Sequence, residues 1–257
     1  MNMTASPTFV SALASQRALP TPRLGVKRSK NLDVADMLKL LREALTPRRH
    51  VVHAGDVIYQ ASERFGNLHL LNAGFIKIVG LSGDGREQVV GLKFRGDWLG
   101  FDGIATGQYS CDAIAMDTGE IWTFRCDALL DACVGTPALL TLLHEAMSRE
   151  IAHDRGVLMS VCSMPAEVRV AEFLRYLAES LAECGLRSDQ VTLRMTRAEI
   201  GNYLGMTLET VSRVMSKLAR AKVIGFTEKG RRNVLIPDID ALSAFVQCSL
   251  VSKPPLQ

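Results

Sequence analysis

The stretch Thr196-Arg197-Ala198-Glu199-Ile200-Gly201-Asn202-Tyr203-Leu204-Gly205-Met206-Thr207-Leu208-Glu209-Thr210-Val211-Ser212-Arg213 decides the fold. It opens with a Thr-x-x-Glu capping box, in which the threonine oxygen and the glutamate carboxylate reciprocally satisfy unpaired N–H groups at a helix start, predicting a helix over Arg197–Leu204. Gly205 is the small residue that a tight interhelix turn wants, and Thr207 can cap a second helix running from Leu208 to about Ala221. At helical spacing Leu204, Val211, Val214, Met215 and Leu218 face inward, while Glu209, Ser212, Arg213, Lys217 and Arg220 lie on the other side. Two short helices around a glycine turn, the second with a polar and basic outer face, form a helix-turn-helix.

The outer face carries the chemistry of duplex reading. Arg213 can donate two hydrogen bonds to guanine, Glu209 can accept from cytosine N4, and Ser212 can serve either edge or a thymine methyl. These three residues fall within about one turn of helix and are the expected base readers. Thr196, Arg197, Thr207, Thr210, Lys217 and Arg220 are placed for phosphate contacts, which fix register without reading sequence. Further on, Val223-Ile224-Gly225-Phe226 and Asn233-Val234-Leu235-Ile236 flank Glu228-Lys229-Gly230-Arg231-Arg232, a β-hairpin whose basic tip (Arg231, Arg232) is a wing reaching the DNA backbone.

Upstream of the motif, a helix from Pro165 to Glu183 opens on proline and carries the apolar face Val168, Ala171, Leu174, Tyr176/Leu177 and Leu181. Before it, residues 125–162 follow a helical period. Leu140, Leu143, Met147, Ile151, Asp154, Leu158 and Val161 recur near every 3.5 residues, the narrow seam a helix needs to pack against a copy of itself. The same spacing would also serve a helix that covers the preceding domain. Asp154 within the seam would oppose pairing by like-charge repulsion, tuning dimer strength.

From about His50 to Phe124 short runs of Val, Ile, Leu and Phe alternate with frequent glycines, implying a β-sandwich or barrel. Phe75-Ile76-Lys77-Ile78-Val79, Ser82-Gly83-Asp84-Gly85 and Gln88-Val89-Val90-Gly91-Leu92 read as a hairpin. An amphipathic helix is expected between Asn31 and Leu45, after a basic, acid-free tail over 1–31 that reads as disordered. The organisation is thus α+β: tail 1–31, β-roll sensor 32–134, dimerisation helix 135–163 and winged helix-turn-helix 164–257.

Charge follows the same division. Of the 30 Lys/Arg and 27 Asp/Glu, residues 1–50 hold nine against three, 51–189 eleven against nineteen, and 190–257 ten against five. A basic end on an acidic body fits a polyanion-binding module. No run is long enough to span a membrane and no secretion signal is evident, so the cytoplasm is the expected compartment. The six cysteines (Cys111, Cys126, Cys133, Cys162, Cys184, Cys248) show no CxxC pair and read mostly as buried thiols.

With these motifs in place the chain resembles the CRP/FNR superfamily of bacterial transcription regulators, and its FNR-like branch in particular, over about residues 45–245. The most specific residues are Gly96-Asp97-Trp98-Leu99-Gly100-Phe101-Asp102 and the helix-turn-helix stretch quoted above. The resemblance implies a jelly-roll sensor like those that bind cyclic nucleotides, a long dimerisation helix, a homodimer on double-stranded DNA, and promoter regulation through RNA polymerase. Glu209, Ser212 and Arg213 match the pattern that accompanies the FNR-type palindrome TTGAT-N4-ATCAA. The cyclic-AMP branch carries an additional Arg where this chain has Leu208.

Departures from the family bear on the signal. Cyclic-nucleotide-binding relatives place Glu, and an Arg-Ser or Arg-Thr pair, where this chain has Phe101, and Cys111 with Asp112. Apolar bulk and an acid at an anion site argue against cyclic AMP. Cluster-bearing relatives use three closely spaced N-terminal cysteines and one in the β domain, but here no cysteine precedes Cys111 and Trp122 stands at the β-domain place, so no 4Fe-4S cluster is expected. The sequence leaves open a haem on one of His50, His53, His69, His144 or His153, a thiol switch, a small organic effector, or no effector. A cupin-like metalloenzyme is the rival from another class; it needs a close histidine pair plus a later histidine, which His50, His53 and His69 do not form.

Overall fold

The computed structural model describes residues 34–227 and 232–251, with side chains described to residue 248. The basic tail (1–31) and the wing-tip residue Arg231 lie outside the described residues.

Helix α1 (Val34–Ala44) precedes eight strands: β1 (Arg48–Val52), β2 (Val57–Tyr59), β3 (Asn67–Ala73), β4 (Ile76–Leu81), β5 (Glu87–Lys93), β6 (Trp98–Leu99), β7 (Asp112–Ala115) and β8 (Gly119–Arg125). They form two four-stranded sheets, ordered β1-β8-β3-β6 and β2-β7-β4-β5. Strand β3 shows why both faces of the first sheet are covered. Leu71 points into the roll with Tyr59, Ile76 and Ile121, whereas Leu68 and Leu70 point outward to Trp98, Trp122 and the helices. Its near-continuous apolar run is what a doubly covered strand requires. The expected β4–β5 hairpin is present, running antiparallel from Ile76↔Lys93 to Leu81↔Glu87.

The helical stretch after the roll is broken. Helix α2 (Cys126–Gly135) ends at Thr136, and Pro137 opens α3 (Pro137–Ser163). Proline at the first helical position lacks only an N–H that would be unpaired anyway, so it starts a helix well but cannot continue one. The long helix thus begins at 137 rather than 135. Its first half covers the outer face of the roll, packing Leu139, Leu142, Leu143 and Ala146 against α1, α2 and Trp122.

This corrects the expected seam at one position. Leu143 is 5% exposed and belongs to the sensor core. The solvent-facing stripe instead runs through Leu140 (41% exposed), His144, Met147, Ile151 (51%), Asp154, Leu158 (63%) and Val161, with Met147 and Val161 half-buried. One residue separates the two registers, and a helix rotates by about 100° per residue, so adjacent positions face opposite partners. The expectation about the cysteines also needs correction: Cys133 is buried, Cys111, Cys126 and Cys184 are half-buried, and Cys162 and Cys248 are exposed.

The C-terminal part contains α4 (Ala166–Glu183), β9 (Gln190–Thr192), α5 (Arg197–Leu204), α6 (Leu208–Arg220), β10 (Gly225–Phe226), β11 (Asn233–Leu235) and α7 (Ile239–Val251). Its core gathers Phe173, Leu174, Tyr203, Val211, Leu218, Val234 and Leu242, each of which contributes about 1.5–3 kcal/mol on full burial if it is a large aliphatic or phenylalanine. That core does not stop at the domain boundary. Val89, Leu92 and Phe94 of the sensor hairpin are part of it, with Phe94 edge-on to both Phe75 and Tyr176 at 5.5 Å.

Candidate nucleic-acid interface

The helix-turn-helix is built from its caps. Thr196 Oγ1 accepts the N–H of Glu199 at 3.2 Å while Glu199 Oε2 accepts the N–H of Thr196 at 2.8 Å, closing the capping box. At the other end Gly205 takes a left-handed conformation (φ 62°), which ends α5 and turns the chain. Gly201 allows the turn to close: its carbonyl accepts the N–H of Met206 at 2.8 Å, and a Cβ there would lie 2.5 Å from the Met206 oxygen. Thr207 Oγ1 then accepts the N–H of Thr210 at 3.3 Å and starts α6.

Arg169 of α4 reinforces this corner. Its guanidinium donates to the carbonyls of Leu204 (2.5 Å) and Gly205 (3.2 Å), the negative end of the α5 dipole. Burial lowers the pKa of Arg169, yet a guanidinium remains charged throughout the working range.

On α6 the buried residues are Val211, Val214, Met215 and Leu218. Glu209 and Arg213 are exposed and Ser212 is half-buried, all on the opposite side. Arg213 is steadied by its own helix, Nη2 lying 3.5 Å from Thr210 Oγ1. Arg220 is exposed at the far end of α6, and Arg232 is exposed beside the wing strand β11. Strands β10 and β11 pair antiparallel through Phe226↔Val234, and β9 joins them through Val191↔Val234.

Not every expected phosphate contact stands ready. The hydroxyls of Thr196 and Thr207 are engaged in capping, and Lys217 is held by Glu167 of α4 at 2.6 Å. Arg197, half-buried at the start of α5, is less open than Arg220.

Reader and sensor are joined by a set of polar ties that sequence reasoning did not anticipate. Asn202 of α5 accepts the N–H of Val89 at 2.6 Å and donates to the carbonyl of Glu87 at 2.9 Å, while Gln88 Nε2 donates to the Asn202 carbonyl at 2.5 Å. Lys77 of β4 pairs with Glu199 at 2.6 Å. Partial burial disfavours the Glu199 carboxylate, but the bonds from Lys77 and Thr196 outweigh it and hold its pKa below the usual value. Arg194, just after β9, pairs with Asp117 at 2.7 Å and lies 3.6 Å over the Phe75 ring. These contacts join residues roughly eighty to one hundred and twenty positions apart, so no local pattern reveals them.

The sensor positions that depart from the family are also accounted for. Phe101 stacks on Trp98 with centroids 6.2 Å apart, and Asp112 Oδ1 accepts the N–H of Ala61 at 2.6 Å. Trp122 is buried and donates to Glu120 at 2.9 Å. Among the five histidines, His69 is 6% exposed, with Nδ1 3.0 Å from Thr123 Oγ1 and Nε2 3.5 Å from Tyr109 OH. His53 lies against Asp56, and His153 Nε2 is 3.4 Å from Tyr203 OH. Among the described residues no group of three His, Cys, Asp or Glu side chains is arranged to hold a metal ion, and no helix is long and apolar enough to cross a membrane.

Comparison with known proteins agrees with this geometry. Residues 168–245 match the Crp-like helix-turn-helix domain and residues 49–135 the cyclic nucleotide-binding domain. The chain is 30% identical over 206 residues to the transcriptional regulatory protein btr of Bordetella pertussis, a match spanning 80% of this chain and 85% of that protein. It is 30% identical over 196 residues to the fumarate and nitrate reduction regulatory protein of Escherichia coli, spanning 76% and 77%. The solved structure of FixK2 from Bradyrhizobium japonicum shares the fold, with a TM-score of 0.69 and 24% identity over 78% of this chain and 97% of that one.

Proposed function

The chain belongs to the CRP/FNR superfamily of DNA-binding transcription regulators, and we propose that it acts as a homodimer whose paired α6 helices read the palindrome TTGAT-N4-ATCAA. It is a regulator rather than an enzyme. The observation that carries the specific reading is the outer side of α6, where Glu209, Ser212 and Arg213 stand together on a helix anchored by its caps and by Arg169. Arg213 reads a guanine, Glu209 accepts from a cytosine and Ser212 takes the neighbouring edge. Arg220 and Arg232 supply backbone contacts, joined by Arg197, Lys217 and the threonines once their present partners exchange.

The stripe Leu140, Met147, Ile151, Leu158 and Val161 on α3 is the pairing surface, presenting two reading helices one turn of duplex apart. Bound in this way in the cytoplasm, the dimer modulates RNA polymerase at promoters. Cyclic AMP is a poor candidate for its signal, because Cys111 stands where relatives place the arginine for the phosphate and Asp112, at the neighbouring Ser/Thr place, is an acid.

A gel-shift series tests the site. The chain is expected to bind TTGAT-N4-ATCAA in preference to a duplex with TGTGA half-sites; the reverse preference overturns the assignment of the half-site.

A further inference from the structure

A second concave site lies on the other side of the sensor. Between α1 and the outer face of the β1-β8-β3 sheet runs a groove of about 660 Å³, within the size range of small-molecule sites. Four cations line it, Lys39 and Arg42 from α1, Arg49 from β1 and Arg95 from the β5–β6 turn, against one acid, Glu43. Three of these cations come from the basic first fifty residues, and the fold sets them with Arg95 against a body whose residues 51–189 carry nineteen acids to eleven bases. A cleft lined by one sign of charge focuses its field on an incoming ion of the other sign.

The floor is built. Trp122 Nε1 and Asn72 Nδ2 both donate to the carboxylate of Glu120, at 2.9 and 2.8 Å, which fixes the indole and engages that carboxylate. Over that indole lies the guanidinium of Arg49, its carbon 5.0 Å from the ring centroid. Arg49 is exposed, so its guanidinium rests against tryptophan while remaining accessible to solvent. A backed guanidinium plane is a platform on which a nucleobase stacks, while ammonium and guanidinium groups around it bind phosphates.

We propose that this groove binds a nucleoside polyphosphate, with the base on Arg49 and the phosphates held by Lys39, Arg42 and Arg95. The groove lies on the outer face of the sheet, and its lining includes none of Phe101, Cys111 and Asp112. Its ligand would clamp α1, which packs through Leu38 and Leu41 beside Leu139 and Leu142, onto the base of the pairing helix.

Calorimetric titration of the full chain with adenosine triphosphate, inorganic triphosphate and adenosine tests the assignment. Adenosine triphosphate should bind more tightly than inorganic triphosphate, and adenosine should give no heat. Arg42→Glu should weaken both phosphorylated probes by about tenfold or more. Arg49→Lys, which keeps the charge but loses the plane, should weaken adenosine triphosphate and leave inorganic triphosphate unchanged. Arg125→Glu, at an exposed cation elsewhere on the sensor, should change neither. Absence of binding at about 1 mM probe, indifference to Arg42→Glu, or equal affinity for the two phosphorylated probes overturns the proposal.

Discussion

Asn202 and Val89 stand 113 residues apart, yet the side-chain oxygen of one accepts the backbone N–H of the other at 2.6 Å. With the return bond from Asn202 to the carbonyl of Glu87, the asparagine amide takes the place of a neighbouring strand along the free edge of β5. An edge strand otherwise exposes unpaired groups that invite misassembly. Here the edge is covered by the first helix of the DNA-reading motif, so the sensor hairpin and the reader are mechanically one piece.

Asn202→Ala should therefore loosen β5 without touching the reading face. The substitution orphans the N–H of Val89 and is expected to lower stability by about 1–3 kcal/mol in urea unfolding. Hydrogen exchange at Val89 should accelerate. Unchanged exchange there would show that the amide is paired by something else.

Acid should unfold the sensor by way of His69. Burial pulls its pKa down to about 4, with the nearby His50 acting in the same direction. The folded value lies below the ordinary value of about 6.5, so this contribution to stability is fully present above pH ~6.5 and is lost as the pH falls toward 4. In His69→Gln, the slope of unfolding free energy against pH across that window should fall by up to about one proton. An unaltered slope would place the acid sensitivity elsewhere.

Gly201→Ala should disrupt the reader even though alanine favours helices. The added methyl would meet the Met206 carbonyl oxygen at 2.5 Å and force the turn open. A destabilisation of about 1–3 kcal/mol or more is expected, with loss of duplex binding. Retention of wild-type melting and binding would mean that the turn relaxes without strain.

Asp154→Ala should tighten the dimer. The carboxylate is exposed in the middle of the α3 stripe, between Ile151 and Leu158, where its symmetry mate would approach it. Removing two like charges and their desolvation favours association. Sedimentation equilibrium reads the change directly, and an unchanged monomer–dimer constant rules out the tuning role.

Arg213→Ala should cost about 1–3 kcal/mol of binding, concentrated at one base pair of each half-site. A loss spread evenly over all duplexes would instead make Arg213 a backbone contact.

The helix-turn-helix was legible because its signals are local. A capping box, an αL glycine and a second cap lie within a dozen residues, and the resulting bounds of α5 agree with the structure. The β4–β5 hairpin was legible for the same reason. The exposed stripe of α3 was read with an error at Leu143, which the structure buries, since a period near 3.5 leaves adjacent apolar residues to be assigned by what they meet in space. Pro137 could have located the break before α3. Helix α7, apolar and without a strong face, gave no comparable signal, yet it packs Leu242 and Val246 into the reader core. Least legible were Asn202 and Lys77, whose partners come from the other end of the chain.

The ion pair between Lys217 and Glu167 gives the recognition surface a resting partner for one of its cations. A lysine already neutralised within the protein brings less to a phosphate than one surrounded only by water, because it must surrender a carboxylate to make the contact. If Lys217 meets a phosphate as proposed, duplex association at this point is an exchange of anions. Fewer condensed counterions would then be gained by the solvent than the number of basic residues on the surface implies, and discrimination among sequences would rest more heavily on the bases themselves.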